Sequence, residues 1–351
     1  MTIKNSFRVA VLMGGDSPER EISLKSGRAV AEALVRRSHD VLMADVSHRF
    51  CEPMSLSEND NPSEVTCQPH ELAAVFSLFK PHVVLPELHG GYGEDGTIQS
   101  FLELLRVPYA CSPPSACAMA MDKTVTKRLC LAVGIPTPEF VIVARGETVE
   151  NTAQLVRESV GFPCVVKPAC LGSTVGLGMV DGEHELDDAV RSAFEFDAVV
   201  IIERRITGVE ITCAVFEEID GARALPLIEI VPQKADYYDW VSKYEPGGSE
   251  HLIPPRLDPR TVGVAQNLAV KVHKLLGCRG ITRTDMLVEA DGSVVVLELN
   301  AIPGMTPTSL VPDAARAAGI SFDELVERIA VTAVDQTEGI FITQSSETLC
   351  S

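Results

Sequence analysis

The chain has 351 residues, 46% of them apolar and 23% charged, and a formal net charge of −19. This length suggests two or three domains, and the composition is globular rather than disordered or fibrous. The acidic excess argues against a protein held on nucleic acid or on an anionic membrane by bulk charge, so an anionic ligand must be gripped by local basic groups. No apolar run reaches the roughly 18 residues of a membrane span. The N-terminal MTIKNSFRVAVLMGGD has too short an apolar stretch for a signal peptide. Ten cysteines are scattered along the chain without a CxxC pair. That pattern points to reduced thiols and a cytoplasmic location.

In chain order, residues 7–13 form a continuous apolar strand broken by Gly14-Gly15-Asp16-Ser17-Pro18. A helical pattern follows to about Arg37, with Val30, Ala31, Leu34 and Val35 on one stripe. A second strand over 41–46 completes a β-α-β opening, which implies a parallel sheet with covered faces. Residues 51–70 are polar and aperiodic and read as a surface excursion. A strand over 82–88 ends in the glycine-rich loop 89–96, and a helix follows to about Leu105. A boundary falls near Met121-Asp122. A helix over 123–133 stops at Gly134-Ile135-Pro136. Strands over 139–144 and 163–167 flank a helix that ends near Gly161, the loop 168–178 carries three glycines, and a strand spans 199–204. Longer strands then pair as a hairpin, 210–218 with 224–231, around Asp220-Gly221. An irregular stretch over 232–255 leads to a helix over 261–276, a second hairpin and two C-terminal helices. Ser321 and Glu324 form a capping box for the last helix. Residues beyond about Gln336 read as a tail.

The second hairpin can be registered by hand. Strands 282–290 and 293–300 flank Asp291-Gly292, a signal for a two-residue turn. Ala290 then faces Ser293, which sets Asp285 opposite Glu298 and Arg283 opposite Asn300, all on one face. Leu287 and Val296 continue that face as apolar. Two carboxylates about 5 Å apart repel by roughly 3 kcal/mol at an effective dielectric near 20. A cation should compensate them. The hard oxygens of Asp285, Glu298 and Asn300 suit Mg²⁺; the plainer alternative is an ion pair from Arg283.

Other constellations are weak singly. The loop KPACLGSTVGLG from Lys167 can turn backbone N–H groups towards an anion, or can be a plain hairpin connection. It is not a Walker A loop. Glu210 could accept from ribose hydroxyls or be a solvated side chain. The stretch ADYYDWVSKY over 235–244 holds three of the five tyrosines and the one tryptophan. Such an aromatic loop can serve as a water-excluding lid or pack on its domain. GGDSPERE from Gly14 and HGGYGEDG from His89 both follow strands, where α/β sheets bind ligands.

Together, GGDSPEREISLKSG, LHGGYGEDG, MDK, VVKPACLGSTVG, ERRITGVE, SKY, TRTDM and ELNAIPGMTPTSL resemble the D-alanine–D-alanine ligases of the ATP-grasp superfamily over nearly the whole chain. The resemblance implies an α/β (α+β overall) three-domain architecture. An N-terminal parallel-sheet domain over 1–121 would contribute to the first D-alanine site. A central subdomain over 122–206 and a C-terminal one over 207–336, with metal site and lid, would hold the nucleotide between them. Residues 337–351 would form a tail.

The same resemblance implies roles by position. Lys123 and Lys167 correspond to ATP phosphate ligands. Glu203, Arg204, Arg205 and Ile206 correspond to an adenine-binding hinge, and Glu210 to a ribose-binding carboxylate. Asp285, Glu298 and Asn300 match ligands of two Mg²⁺ ions, with Mn²⁺ as an alternative. Glu19 would hold the ammonium of the first D-alanine, with Ser173 and Tyr244 hydrogen-bonded to it and His89 lining the subsite. Arg283 and the Gly304 N–H would stabilise an oxyanion. Lys243, Ser309 and Leu310 would receive the second D-alanine carboxylate. The implied partners are D-alanine and ATP, with no nucleic acid or membrane, in a homodimer. The implied reaction runs through a D-alanyl phosphate, for peptidoglycan precursor synthesis.

The chain departs from the family pattern at Arg205, where an aromatic or apolar residue is usual, at Ala301, at Thr174, and in the length of 51–70. Rivals are a D-alanine–D-lactate or D-alanine–D-serine ligase, a noncatalytic nucleotide-binding module, and a biotin-dependent carboxylase-like enzyme. Tyr244 after Lys243 favours the dipeptide, the intact charged set disfavours a noncatalytic module, and GGDSPEREISLKSG argues against the carboxylase type.

Overall fold

The structure is a computed structural model that describes residues 6–50, 63–172, 176–233 and 248–347, with side chains to 335 in the last stretch. Three sheets organise these residues. The first has the order β3-β2-β1-β4 and is parallel throughout. It is built from β1 (Arg8–Gly14), β2 (Asp40–Val46), β3 (Glu64–Cys67) and β4 (Val83–Pro86). Helix α1 (Arg20–Arg36) makes the first crossover, and α2 (Leu72–Phe79) and α3 (Thr97–Leu104) follow. Val9, Val11, Val30 and Leu34 pack on one side of the sheet and Ala10, Leu12, Leu42 and Val84 on the other. This is why its strands read as unbroken apolar runs.

Two expectations change here. Val35 is 59% exposed, and Ala33 is buried beside Leu34 in its place. The excursion over 51–70 contains the edge strand β3; residues 51–62 lie outside the described residues.

Helix α4 (Pro114–Met121) leads into α5 (Lys123–Ala132), whose N-cap Asp122 accepts from the Thr124 and Val125 backbone N–H groups. The second sheet has the order β5-β8-β6-β7 and is antiparallel, with β5 (Phe140–Ala144), β6 (Cys164–Pro168), β7 (Gly178–Val180) and β8 (Val199–Arg204). Helices α6 (Val149–Ser159) and α7 (Glu183–Ala193) supply Val156, Leu186 and Val190 to its core.

The third sheet has the order β12-β11-β9-β13-β14, with β10 on β9. Its strands are β9 (Val209–Glu218), β10 (Gly221–Ala224), β11 (Ile228–Pro232), β12 (Ser249–Leu252), β13 (Ile281–Val288) and β14 (Val294–Asn300). The strand expected over 224–231 is thus two strands, and both pair with β9. Helix α8 (Pro259–Leu275) covers one face through Ala265, Ala269 and Val272. Helices α9 (Leu310–Ala317) and α10 (Phe322–Glu347) cover the other. Helix α10 runs to Glu347, so most of the expected tail is helical backbone; 348–351 lie outside the described residues. At the start of α10 only the Ser321 half of the expected capping box is formed, Ser321 Oγ accepting from the Glu324 N–H at 3.3 Å.

The β13–β14 register carries the main correction. Glu289 and Ser293 pair through Glu289 N–H to Ser293 O at 2.9 Å, and Gly292 N–H donates to Glu289 O at 2.9 Å with Gly292 at φ +86°. This is a three-residue turn closed by a left-handed glycine, not a two-residue turn. Val288, Leu287 and Met286 then oppose Val294, Val295 and Val296. A register shift next to Asp285 inserts Leu297 as an extra residue, after which Asp285 opposes Glu298 and Arg283 opposes Asn300. The expected pairing at the site therefore holds, but by way of two irregularities. Leu297, not Val296, continues the site face; Val296 lies in the core under α8.

Two buried features have measurable consequences. A Cβ on Gly208, between β8 and β9, would lie 2.1 Å from the Val288 carbonyl oxygen, which no side-chain rotation can relieve. Gly208→Ala is expected to lower stability by about 1–3 kcal/mol; an unchanged urea midpoint would show that the backbone yields. Glu87, just after β4, is buried, and its Oε2 has no hydrogen-bond partner among the described residues. Burial pushes its carboxyl up to about 7, with His89 opposing. The folded chain then binds a proton that the unfolded chain releases between pH 4.5 and about 7, so stability falls as pH rises through that window. Glu87→Gln should match the unsubstituted chain near pH 5 and exceed it by roughly 2–3 kcal/mol at pH 8. Urea unfolding at the two pH values checks this, and parallel curves would refute it.

Candidate active site

A cavity of about 790 Å³ opens between the second and third sheets, within the usual range of small-molecule sites. Lys167 at the end of β6 and Lys123 at the start of α5 reach it from one side; Asp285 and Glu298 reach it from β13 and β14 on the other. Glu210 on β9, paired with Leu287 on β13, lines the same wall. Glu203 and Arg204 at the end of β8, and Arg205 and Ile206 just after it, line the edge between the sheets.

The opposed carboxylates are compensated by cations, as their register requires. Arg283 grips Asp285 with two parallel bonds, Nε–Oδ1 2.9 Å and Nη2–Oδ2 2.8 Å. Thr212 Oγ1 donates to Asp285 Oδ1 at 2.6 Å from the neighbouring strand β9. Lys123 Nζ stands 3.4 Å from Glu298 Oε2 and donates to the Leu171 carbonyl. The plain reading of Arg283 as an ion-pair partner is therefore present in the structure. The Asn300 side-chain oxygen accepts from the Ile302 N–H at 3.0 Å, which fixes the amide at the strand end. The donor set of two carboxylates at the cavity wall, with the Asn300 amide at the adjoining strand end, fits a hard dication.

On the opposite side, Glu203 is 3% exposed. Its two oxygens face two ammoniums, Lys167 and Lys127, the latter at 2.8 Å. Burial alone would push the Glu203 carboxyl up, but Lys127 and Lys167 outweigh it and hold it below the ordinary range. Arg204 is committed to Glu139 at 2.7 Å and to Glu289 at 3.1 Å. Arg205, at the position where the family pattern is broken, pairs with the exposed Asp181 at 2.6 Å. It sits at the rim rather than as an apolar wall. Arg256 binds Glu229 through its backbone N–H at 2.7 Å and its guanidinium Nε at 2.9 Å.

Beyond Lys123 the loops of the first sheet converge. Glu19, just before α1, is nearly buried. A Cβ on Gly90 would lie 3.0 Å from Glu19 Oε2, and one on Gly172 would lie 3.6 Å from it. The carboxylate thus sits between the backbones of the HGGYG loop and the glycine loop after Lys167. His89 is buried with Nδ1 3.5 Å from Glu94 and Nε2 3.4 Å from Ser26 Oγ. Burial opposes its protonation, yet Glu94, Glu87 and Glu19 outweigh burial and raise its pKa. Ser26 Oγ also accepts from the Met305 N–H at 3.3 Å, which ties this subsite to the Gly304 loop. Ser309 precedes α9, but its Oγ is turned back to Thr306, accepting from the Thr306 N–H at 3.1 Å and lying 2.7 Å from Thr306 Oγ1. The Leu310 side chain is buried in the core, so only its backbone N–H, at the first turn of α9, can meet a carboxylate. Ser173, Lys243, Tyr244 and the aromatic stretch 235–244 lie outside the described residues.

Sequence reading missed Thr212, Lys127, Glu94 and Ser26. Each acts through a neighbour on another strand or loop, a relation that local spacing does not carry. Lys127 alone left a signal: it stands four residues after Lys123, one turn along the same helix face.

Comparisons with known proteins identify the family. The family model described as D-ala D-ala ligase N-terminus matches residues 8–112, and that described as D-ala D-ala ligase C-terminus matches 129–331. A D-alanine–D-alanine ligase of Moorella thermoacetica is 42% identical over 94% of this chain and 100% of its own length. That of Gloeobacter violaceus is 43% identical over 94% and 100%. A crystal structure of the Bacillus anthracis D-alanine–D-alanine ligase complexed with ATP matches at a TM-score of 0.76 and 28% identity, covering 95% of this chain and 99% of that one. The VanG D-Ala:D-Ser ligase of Enterococcus faecalis matches at 0.79 and 29%, covering 94% and 100%. The chain belongs to the D-alanine–D-alanine ligase family.

Proposed function

We propose that the chain is an ATP-dependent ligase that joins two D-alanines, by way of a D-alanyl phosphate, to make a peptidoglycan precursor. The observation that carries this reading is the convergence of Lys123, Lys167, Asp285 and Glu298 on one cavity whose far end meets Glu19. Lys123 and Lys167 bind and orient the phosphates, the turn at Glu203–Ile206 takes the adenine, and Glu210 takes the ribose. Asp285, Glu298 and Asn300 would hold Mg²⁺, which neutralises triphosphate charge when bound. Phosphoryl transfer needs positioning and neutralisation more than covalent help.

Glu19 takes the first D-alanine ammonium beside His89, and the roles of Ser173 and Tyr244 as hydrogen-bond partners of Glu19 are carried over from the resemblance. That substrate's carboxylate oxygen attacks the γ-phosphorus, and ADP leaves. The amine of the second D-alanine, its carboxylate on Lys243, Ser309 and the Leu310 N–H, then attacks the acyl carbon. Arg283 and the Gly304 N–H donate to the oxyanion of the tetrahedral intermediate, and phosphate leaves as it collapses. The Lys243-Tyr244 pair supports D-alanine over D-lactate as second substrate. Eight described cysteines carry free thiols, seven of them buried, which supports a reducing cytoplasm. Among the described residues no helix is long and apolar enough to cross a membrane. A homodimer is carried over from the resemblance.

A coupled assay with D-alanine, L-alanine, and D-alanine plus D-lactate tests the reading. ADP release is expected only with D-alanine and a divalent cation together; no turnover with D-alanine as the sole amino acid in the presence of the cation would overturn the proposal. Glu298→Gln should lower turnover by roughly 10³-fold with an unchanged melting temperature, and full activity would remove Glu298 from the metal site.

A further inference from the structure

Lys127 has no part in the reaction as set out above. It is 1% exposed and is not part of the cavity wall, which includes Lys123, Lys167 and Glu203. A lysine this deep is held by its partners. Its ammonium lies 2.8 Å from Glu203 Oε2, donates to Thr137 Oγ1 at 2.7 Å, and stands 5.6 Å from the centre of the Phe140 ring. Thr137 and Phe140 come from the segment entering β5, so Lys127 is fixed from a second element. Burial pulls its pKa below the ordinary lysine range, and Glu203 works against that fall.

The other Glu203 oxygen is taken by Lys167, to which the proposed function assigns a phosphate. Lys167 is partly exposed at the cavity, whereas Lys127 is enclosed. When the Lys167 ammonium turns to an anion, Glu203 keeps one counter-ion. Without Lys127, that movement would strand a buried carboxylate with no counter-ion. Lys167 would then remain tied to Glu203.

We infer that Lys127 is a positioning residue of the nucleotide site, a standing counter-ion that neutralises Glu203 so that Lys167 can exchange that carboxylate for a nucleotide phosphate. The inference rests on the assignment of Lys167 to the nucleotide. Lys127 itself never touches the ligand. It acts on affinity, because the exchange occurs as the nucleotide binds.

The test is a double-mutant cycle on Lys127→Met and Glu203→Gln, read by calorimetry with a non-hydrolysable ATP analogue in the presence of Mg²⁺. Lys127→Met alone should weaken binding about 10-fold and raise the KM for ATP by a similar factor, with kcat changed less than about 3-fold. In the Glu203→Gln background, where no charge detains Lys167, the same substitution should change affinity by less than about 2-fold. Lys127→Arg keeps the charge in a different shape and should stay within about 3-fold of the unsubstituted chain. Unchanged affinity in Lys127→Met, an equal loss in both backgrounds, or a loss in Lys127→Arg as large as in Lys127→Met would each overturn the inference. If Lys127→Met does not fold, the arginine variant and the double variant against Glu203→Gln decide it. Failure of the unsubstituted chain to bind the analogue would count against the nucleotide assignment instead.

Discussion

The pairing of β13 with β14 is the constraint on which the site depends. It fixes Asp285 opposite Glu298 on adjacent strands, an arrangement that sheets ordinarily avoid. The backbone ladder and the apolar residues under α8 set the register, so the two carboxylates cannot separate. Their repulsion has to be answered locally. Arg283 and Thr212 answer it at Asp285 and Lys123 at Glu298. Each answering group comes from a different element, β13, β9 and α5, so the charge problem ties the start of α5 to the third sheet.

The first sheet is held to that point by another set of contacts. Helix α10 packs on α1, and Arg36 pairs with Asp323 at 2.8 Å while Arg37 pairs with Glu327. Ser26 on α1 meets the Met305 N–H just past the cavity strand. The glycine loops after β1, β4 and β6 then abut at Glu19 because Gly90 and Gly172 present no side chain there. Exposed ion pairs such as Arg36–Asp323 contribute little energy singly. The apolar layer of Val30, Leu34, Leu325 and Ile329 beneath them supplies the adhesion, and the charges set its direction.

Much of this was legible in the sequence, for reasons that differ by element. The parallel first sheet followed from continuous apolar runs and the glycine breaks after them. The motifs around Lys123, Lys167, Asp285 and Glu298 identified residues that the structure does bring to one cavity. The hairpin shows the limit. Its turn has one residue more than expected and β14 carries the extra residue Leu297, and the two offsets cancel at Asp285 and Glu298. A bulge has no signature in alternation alone, because the residues on either side of it keep their own faces. The edge strand β3 was hidden for a related reason: its EVTC alternates within a polar stretch too short to stand out. Lys127, one turn after Lys123, gains its meaning only from the fold, which sets its ammonium against the buried Glu203.

The charge balance of the cavity bears on how a polyanion could enter it. Among the described residues, the wall carries Lys123, Lys167, Arg204, Arg205 and Arg256 against Glu203, Glu210, Glu229, Asp285 and Glu298, five charges of each sign. All five cations are already within ion-pair distance of a carboxylate. The chain as a whole is at −19. A nucleotide triphosphate therefore gains no net charge from these described wall residues, and the two lysines serve it only by giving up existing partners. Dications at Asp285 and Glu298 would release Lys123 from Glu298, just as Lys127 would release Lys167 from Glu203. On the proposed function, ligand and metal are then coupled through lysine exchange on both sides of the cavity, and the neutral wall favours a nucleotide that brings its own counter-ions over one that arrives bare.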